Sequence, residues 1–155
     1  MTGKTHIVGG IAASAVVLQL TPHDPIMLVI GGVFGSLFPD ICHSGSKIGR
    51  KAPGLSKIIS SLFGHRTITH SLLFLILVQF LLNSFVPYPD LNKGIMVGMV
   101  SHLVLDAATK NGIKLLYPLS LTIRFPITIR TGSSFEKGIL AVLILTIAYF
   151  SRGYL

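Results

Sequence analysis

His65 and His70 lie five residues apart and enclose Arg66, Thr67 and Thr69, with Ser71 directly behind. Two imidazoles, a guanidinium and three hydroxyls thus fall within eight residues, and the chain then runs into the almost wholly apolar Leu72–Val86. Ionisable groups at the mouth of such a segment are costly to place and mark a functional site. Further on, His102 and Asp106 are four apart, on one face of a helix, where both can reach the same ion. Imidazole with carboxylate suits Zn²⁺, Mn²⁺ or Fe²⁺ better than Ca²⁺ or Mg²⁺, which favour oxygen shells.

The candidate ligands are His6, Asp40, His65, His70, His102 and Asp106. They exceed the three protein ligands that one catalytic zinc uses. One or two ions are therefore expected, zinc first, with manganese or iron as alternatives and Asp40 as the bridge. Arg66 matches an anion such as phosphate in two-point geometry, and Thr69 and Ser71 stand beside it as substrate contacts. Glu136, or a histidine left off the metal, is the candidate proton carrier, and Asp106 counts among the catalytic residues as well as the ligands. The plainer reading of Glu136, after Ser133 and Ser134, is part of a helix N-terminal cap. His23 and His43 read as packing or capping residues.

These side chains need elements to bring them together. Five apolar stretches are legible, at about Thr5–Leu20, Pro25–Ile41, Thr69–Val86, Lys93–Ala108 and Phe135–Phe150. Each is near the short end of the ~17–25 residues that cross a bilayer. Gly9, Gly10, Gly31, Gly32, Gly35 and the Gly94/Gly98 pair suit close helix packing in lipid. Between them, Leu55, Ile58, Ile59, Leu62 and Phe63 keep a helical period, as a short interfacial amphipathic helix would. Leu121–Arg130 alternates apolar residues with Thr or Arg and reads as a hairpin or extended segment, with Pro126 at an edge or turn.

Composition agrees with a membrane bundle. Half the residues are apolar, 12% are charged and the mean hydropathy is +0.73, against the ~25% charged of soluble domains. At 155 residues the chain is a single domain, residues 1–155. The net charge of +8 is not a nucleic-acid footprint, because the basic residues are not gathered among exposed aromatics. It is an orientation signal. With five spans, Lys4, Lys47, Arg50, Lys51, Lys57, Arg66, Lys110, Lys114, Arg124, Arg130 and Lys137 share one side, leaving Lys93 and Arg152 opposite. The positive-inside rule makes the first side cytoplasmic, with the N-terminus there. The fold expected is an all-α, polytopic bundle of about five transmembrane helices. His6, Asp40, His65, His70, His102, Asp106 and Glu136 fall at its cytoplasmic end. The one cysteine, Cys42, excludes an internal disulfide.

On these motifs the chain resembles the YdjM-like family of inner-membrane metal-dependent hydrolases, described as LexA-regulated or LexA-binding in some bacteria. The likeness covers nearly the whole chain. It rests on Thr5-His6 with its glycines, Phe38-Pro39-Asp40, His65-Arg66 with Thr69-His70-Ser71, Ser101-His102 with Asp106 and Thr109, and Arg130-Thr131-Gly132-Ser133 with Glu136. The family looks distantly related to the all-helical zinc phospholipases C, which implies phosphoester hydrolysis at a multi-metal centre in the bacterial inner membrane. Cys42 stands where the family often has a second acidic residue, so Cys42 or His43 becomes the replacement ligand. Thr67 stands where it often has glycine.

The function expected is hydrolysis of a lipid or lipid-linked phosphoester at the cytoplasmic face, with the bilayer as partner and no nucleic acid. The alternative is a non-enzymatic transporter or sensor of divalent metal. A transporter should carry its polar residues near the bilayer midplane, whereas here they gather at one end. A scaffold that only holds a partner at the membrane has no use for the histidines.

Overall fold

The computed structural model describes residues 1–153 apart from 44, 47–48, 52 and 64–66, and only the backbone of 55, 59, 62, 63 and 153. Among the described residues the fold is all-α, with helices α1 (Gly3–Leu20), α2 (Pro25–Leu37), α3 (Pro53–Phe63), α4 (Leu72–Phe85), α5 (Pro89–Ala107) and α6 (Ser134–Phe150). Short 3-10 turns at Phe38–Cys42 and Ile68–His70 extend α2 and precede α4. The termini follow local chemistry. Asp24 caps α2 by accepting from Met27 N, Ser71 caps α4 through Phe74 N, and Ser133 caps α6 through Glu136 N.

The interior mixes apolar residues such as Leu28, Met99 and Leu103 with many polar ones, and large apolar side chains cover much of the surface. Thr5, His6, Ser14, Ser36, His70, His102 and Asp106 are buried, while Phe34, Ile76, Phe80, Phe85, Phe135 and Leu145 are exposed. Large apolar side chains on the outside with small and polar ones inside is the arrangement that lipid favours. By length and composition together, Pro25–Cys42 is the one helical stretch among the described residues that reaches a crossing span. α4 is apolar but has 14 residues, and α6 has 17. α1 and α5 are longer, but the polar side chains they bury dilute their hydropathy. The about five spans expected from sequence thus become one on this measure.

α2 packs chiefly on α5, α1 lies against both, and α6 leans on α1. The contact among α1, α2 and α5 is backbone against backbone. A Cβ on Gly98 would strike the Gly32 carbonyl, and one on Gly35 would strike that of Ile95. Gly98→Leu should therefore push α5 off α2 and lower thermal stability by about 1–3 kcal/mol, the usual cost of overpacking. Unchanged melting of the purified variant would mean that this contact is loose. An apolar groove of about 640 Å³ is floored by α1 and α5 and walled by Gln79 of α4 and Leu143 of α6. It holds none of the candidate metal ligands.

α3 lies where the amphipathic period placed it, with Ile58 exposed. The loop after α5 forms isolated bridges, Thr109 to Ile129 and Ile113 to Ile123, rather than a hairpin of strands. Its work is to close the end of α5: Phe125 N donates to Ala107 O and Ile129 N to Ala108 O, at 3.0 and 2.9 Å. Carbonyls at a helix C-terminus have no partner within the helix, so the loop pins the turn that carries Asp106.

At the opposite end of the bundle, His23 Nδ1 lies 2.7 Å from Asp90 Oδ1, and Asp24 N donates to Asp90 Oδ2 at 3.0 Å. The clasp joins the α1–α2 turn to the first turn of α5. Asp90 precedes the apolar run of its helix, and its carboxyl is held below its ordinary 3.8, first by the Asp24 N–H and then by His23. A depressed carboxylate stabilises the fold above its unfolded-state pKa and loses that contribution as pH falls through the folded one. Asp90→Asn should therefore flatten the loss of melting temperature on acidification below about pH 4; an unaltered acid profile would show the clasp to be inert.

Candidate metal centre

The alternation of α1, α2, α4 and α5 brings distant residues to one end. His6 comes from the start of α1, Asp40 from the 3-10 turn after α2, His70 from the turn before α4, and His102 and Asp106 from the last turns of α5. Asp40, His70, His102 and Asp106 each offer a donor atom within 4.8 Å of the others. His102 Nε2 is 3.2 Å from His70 Nε2, 3.6 Å from Asp106 Oδ2 and 3.8 Å from Asp40 Oδ1. His70 Nε2 is 3.5 Å from Asp106 Oδ2 and 4.0 Å from Asp40 Oδ1.

These spacings fit a metal. Donors about 2.0–2.2 Å from a tetrahedral zinc stand roughly 3.4 Å from one another. The hydrogen bonds behind the donors fit as well. His102 Nδ1 lies 2.7 Å from the Ser36 carbonyl, which can only accept, so Nδ1 carries the proton and Nε2 keeps its lone pair. Thr69 Oγ1 donates to Cys42 Sγ at 3.1 Å and thereby accepts from His70 Nδ1, also at 3.1 Å. Both Nε2 lone pairs then point at each other across 3.2 Å, beside two carboxylates. A cation between them relieves that repulsion, and backbone or hydroxyl partners of this kind are what orient metal-bound histidines.

His6 is buried at the edge of the cluster. Its ring stacks on His102 with centroids 3.7 Å apart, and its Nε2 is 3.2 Å from Asp106 Oδ1. The Met1 ammonium donates to the same Oδ1 and lies 3.1 Å from His6 Nε2. Asp106 therefore faces two ways, Oδ1 toward His6 and Oδ2 toward His70 and His102. The bridging position expected of Asp40 suits Asp106 better, because Asp40 meets its histidines only at 3.8 and 4.0 Å.

The remaining expected residues lie outside this donor set or outside the described residues. His65 and Arg66 lie outside the described residues. Thr69 is buried against Cys42 and His70, so it orients a ligand rather than facing a substrate. The Ser71 hydroxyl donates to Ile68 O at 2.6 Å and accepts from Phe74 N at 3.2 Å, which commits it to the α4 cap. Cys42 is outside the four-donor set, and its Sγ accepts from Thr69. His43 is exposed on a cavity wall. Glu136 Oε1 accepts from Thr2 N and Thr5 Oγ1, both at 2.6 Å, and Oε2 from Gly132 N at 2.6 Å. Gly132 reaches that position at φ +82°, open to glycine at little cost. Glu136 is thus a clamp joining α1, α6 and the turn between loop and helix. Glu136→Gln should lower stability by about 1–3 kcal/mol while leaving metal content unchanged. Metal lost from a variant that melts normally would return Glu136 to the site.

Ser36 and Thr69 were not legible as histidine supports. A backbone carbonyl has no signature in sequence, and Thr69 gained its role only when the turn before α4 met Cys42.

A buried histidine–aspartate cluster at one end of a bundle with an apolar exterior defines a class: an all-helical, membrane-type protein with a site able to hold a metal ion. The family model of the YdjM inner membrane protein matches residues 1–155, and the chain belongs to that bacterial inner membrane family. It is 50% identical to the uncharacterized protein YvsG of Bacillus subtilis (strain 168), over 97% of this chain and 94% of the relative. It is 34% identical to the inner membrane protein YdjM of Escherichia coli (strain K12), over 94% of this chain and 80% of that one, and equally to YdjM of Shigella flexneri. No solved structure matches the chain.

Proposed function

We propose that the protein is a metal-dependent hydrolase of the inner membrane, acting on a phosphoester of a lipid or lipid-linked substrate at the cytoplasmic face. In this reading α1, α2, α4, α5 and α6 all cross or line the bilayer, with the N-terminus cytoplasmic. Polar side chains turned inward shorten each apolar face without removing the helix from the membrane. The observation that carries the reading is the convergence of Asp40, His70, His102 and Asp106, with two imidazole lone pairs aimed at one point.

Asp40, His70, His102 and Asp106 would hold the ion, zinc before manganese or iron, since mixed nitrogen and oxygen donors suit these metals. When bound, such an ion supplies Lewis acidity toward a phosphoryl oxygen and a water of lowered pKa. The Ser36 carbonyl and Thr69 hold the two rings in the tautomer that keeps Nε2 available. Among the described residues His6 is the buried histidine outside the four-donor set, and its Nδ1 has no hydrogen-bond partner there. It is better suited than Glu136, whose oxygens are engaged, to take up and return a proton. Arg66 stabilises charge on the attacked phosphoryl group.

The experiment is a panel of phospholipids and polyprenyl phosphates, assayed for released phosphate or headgroup with the metal-loaded protein. Turnover that chelation abolishes and zinc or manganese restores is the expected result. A fully metallated protein that cleaves no phosphoester would leave a metal-binding membrane protein and remove the hydrolase.

A further inference from the structure

Three of the four cluster residues are sealed. The His70 and His102 side chains have no exposed surface and that of Asp106 has 1%, whereas Asp40 keeps 17%. Whatever reaches the cluster therefore arrives past Asp40. Asp40 lines a cavity of about 510 Å³ together with Thr2, Lys4, His43, Ser46 and Arg50. The volume is within the ~300–1,000 Å³ usual for small-molecule sites. Besides the Met1 ammonium, which is paired with Asp106, its described lining has two cationic side chains, Lys4 and Arg50, and apart from Asp40 no carboxylate.

Both cations are placed by the elements that build the site. Lys4 is in the first turn of α1, two residues before His6, where a positive charge opposes the helix dipole. Helix stability does not explain a lysine there. Arg50 is tied back to Asp40 through the intervening turn. Ser46 Oγ donates to Asp40 O at 2.8 Å, Gly49 N donates to Ser46 Oγ at 2.9 Å, and Arg50 N donates to Ser46 O at 3.1 Å. Among the described residues neither cationic side chain makes a hydrogen bond or ion pair, and both are exposed.

We propose that Lys4 and Arg50 form the anion-binding mouth of the metal centre, receiving a phosphate group in the cavity that leads to Asp40. The proposal rests on the phosphoester reading above and gives that reading its substrate contacts. Arg50 offers a planar fork for two phosphate oxygens, and Lys4 adds a compact point charge to the same lining. The alternative role for both is to mark the cytoplasmic side, which requires no particular position within the cavity.

The test uses full-length, zinc-loaded protein in detergent, titrated with inorganic phosphate by calorimetry and, separately, with vesicles of phosphatidic acid or phosphatidylcholine. Lys4→Ala and Arg50→Ala should each weaken phosphate binding about tenfold, and the double variant more. Arg50→Lys should recover part of the loss. Lys114→Ala, a basic residue of the same end but outside the cavity, should bind as wild type. Metal content should stay constant throughout. Loss confined to phosphatidic acid vesicles makes the lipid headgroup the source of the anion, and loss with inorganic phosphate makes it any phosphate. Equal affinity of wild type and double variant for both probes would overturn the proposal. If phosphate binding falls as expected while the wild type hydrolyses nothing, the mouth stands and the hydrolase reading fails. If hydrolysis is real and the double variant keeps its kcat/KM, the mouth fails and the hydrolase reading stands.

Discussion

His102→Ala and Asp106→Asn proteins should lose the bound metal outright, with affinity reduced by more than the 10–100-fold that follows loss of a supporting residue. His102 contributes Nε2 at 3.2 to 3.8 Å from the other donors. Asp106 is the carboxylate that touches His6, His70 and His102. Thr69→Ala should fall within the smaller range, about 10–100-fold, because it frees the His70 ring without removing a donor. His23→Ala, at the far end beside Asp90, should bind as wild type. Competitive chelator titration ranks the four. A Thr69 variant as damaged as His102→Ala, or a His23 variant that loses metal, would contradict the assigned geometry.

The second large effect concerns rate. Arg66→Ala should keep its metal and lose about a hundredfold in kcat, the order of 3 kcal/mol that one charged transition-state contact supplies. Arg66→Lys should restore only part, because an ammonium keeps the charge and loses the fork. This separates Arg66 from Lys4 and Arg50, whose loss should act mainly on KM, since they meet the anion at the mouth. A lysine variant with full activity would reduce Arg66 to a headgroup contact. An alanine variant with full activity would remove it from the site.

Much of the site was readable because successive helices of a bundle alternate in direction. With Thr5–Leu20, Pro25–Ile41, Thr69–Val86 and Lys93–Ala108 as successive helices, His6, Asp40, His70, His102 and Asp106 must share one end. The i, i+4 spacing of His102 and Asp106 needed only helix geometry. What escaped was detail set by tertiary contact. The choice between Asp40 and Asp106 as the central carboxylate depends on distances of a few tenths of an ångström. The same chemistry that made Glu136 a plausible proton carrier made it a good acceptor for Thr2, Thr5 and Gly132. The alternation in Leu121–Arg130 read as a hairpin or extended segment, whereas the segment forms isolated bridges and spends backbone groups on the end of α5. The apolar stretches matched the helices within a few residues, yet span length could not be read from them, since inward-facing polar residues continue a helix beyond its apolar run.

Metal analysis of the protein, purified from membranes without chelator, tests the central assignment most directly. About one to two equivalents of zinc, manganese or iron per chain are expected, falling toward zero in His102→Ala. A wild-type protein that emerges folded and metal-free, and takes up none of these ions on titration, would contradict it.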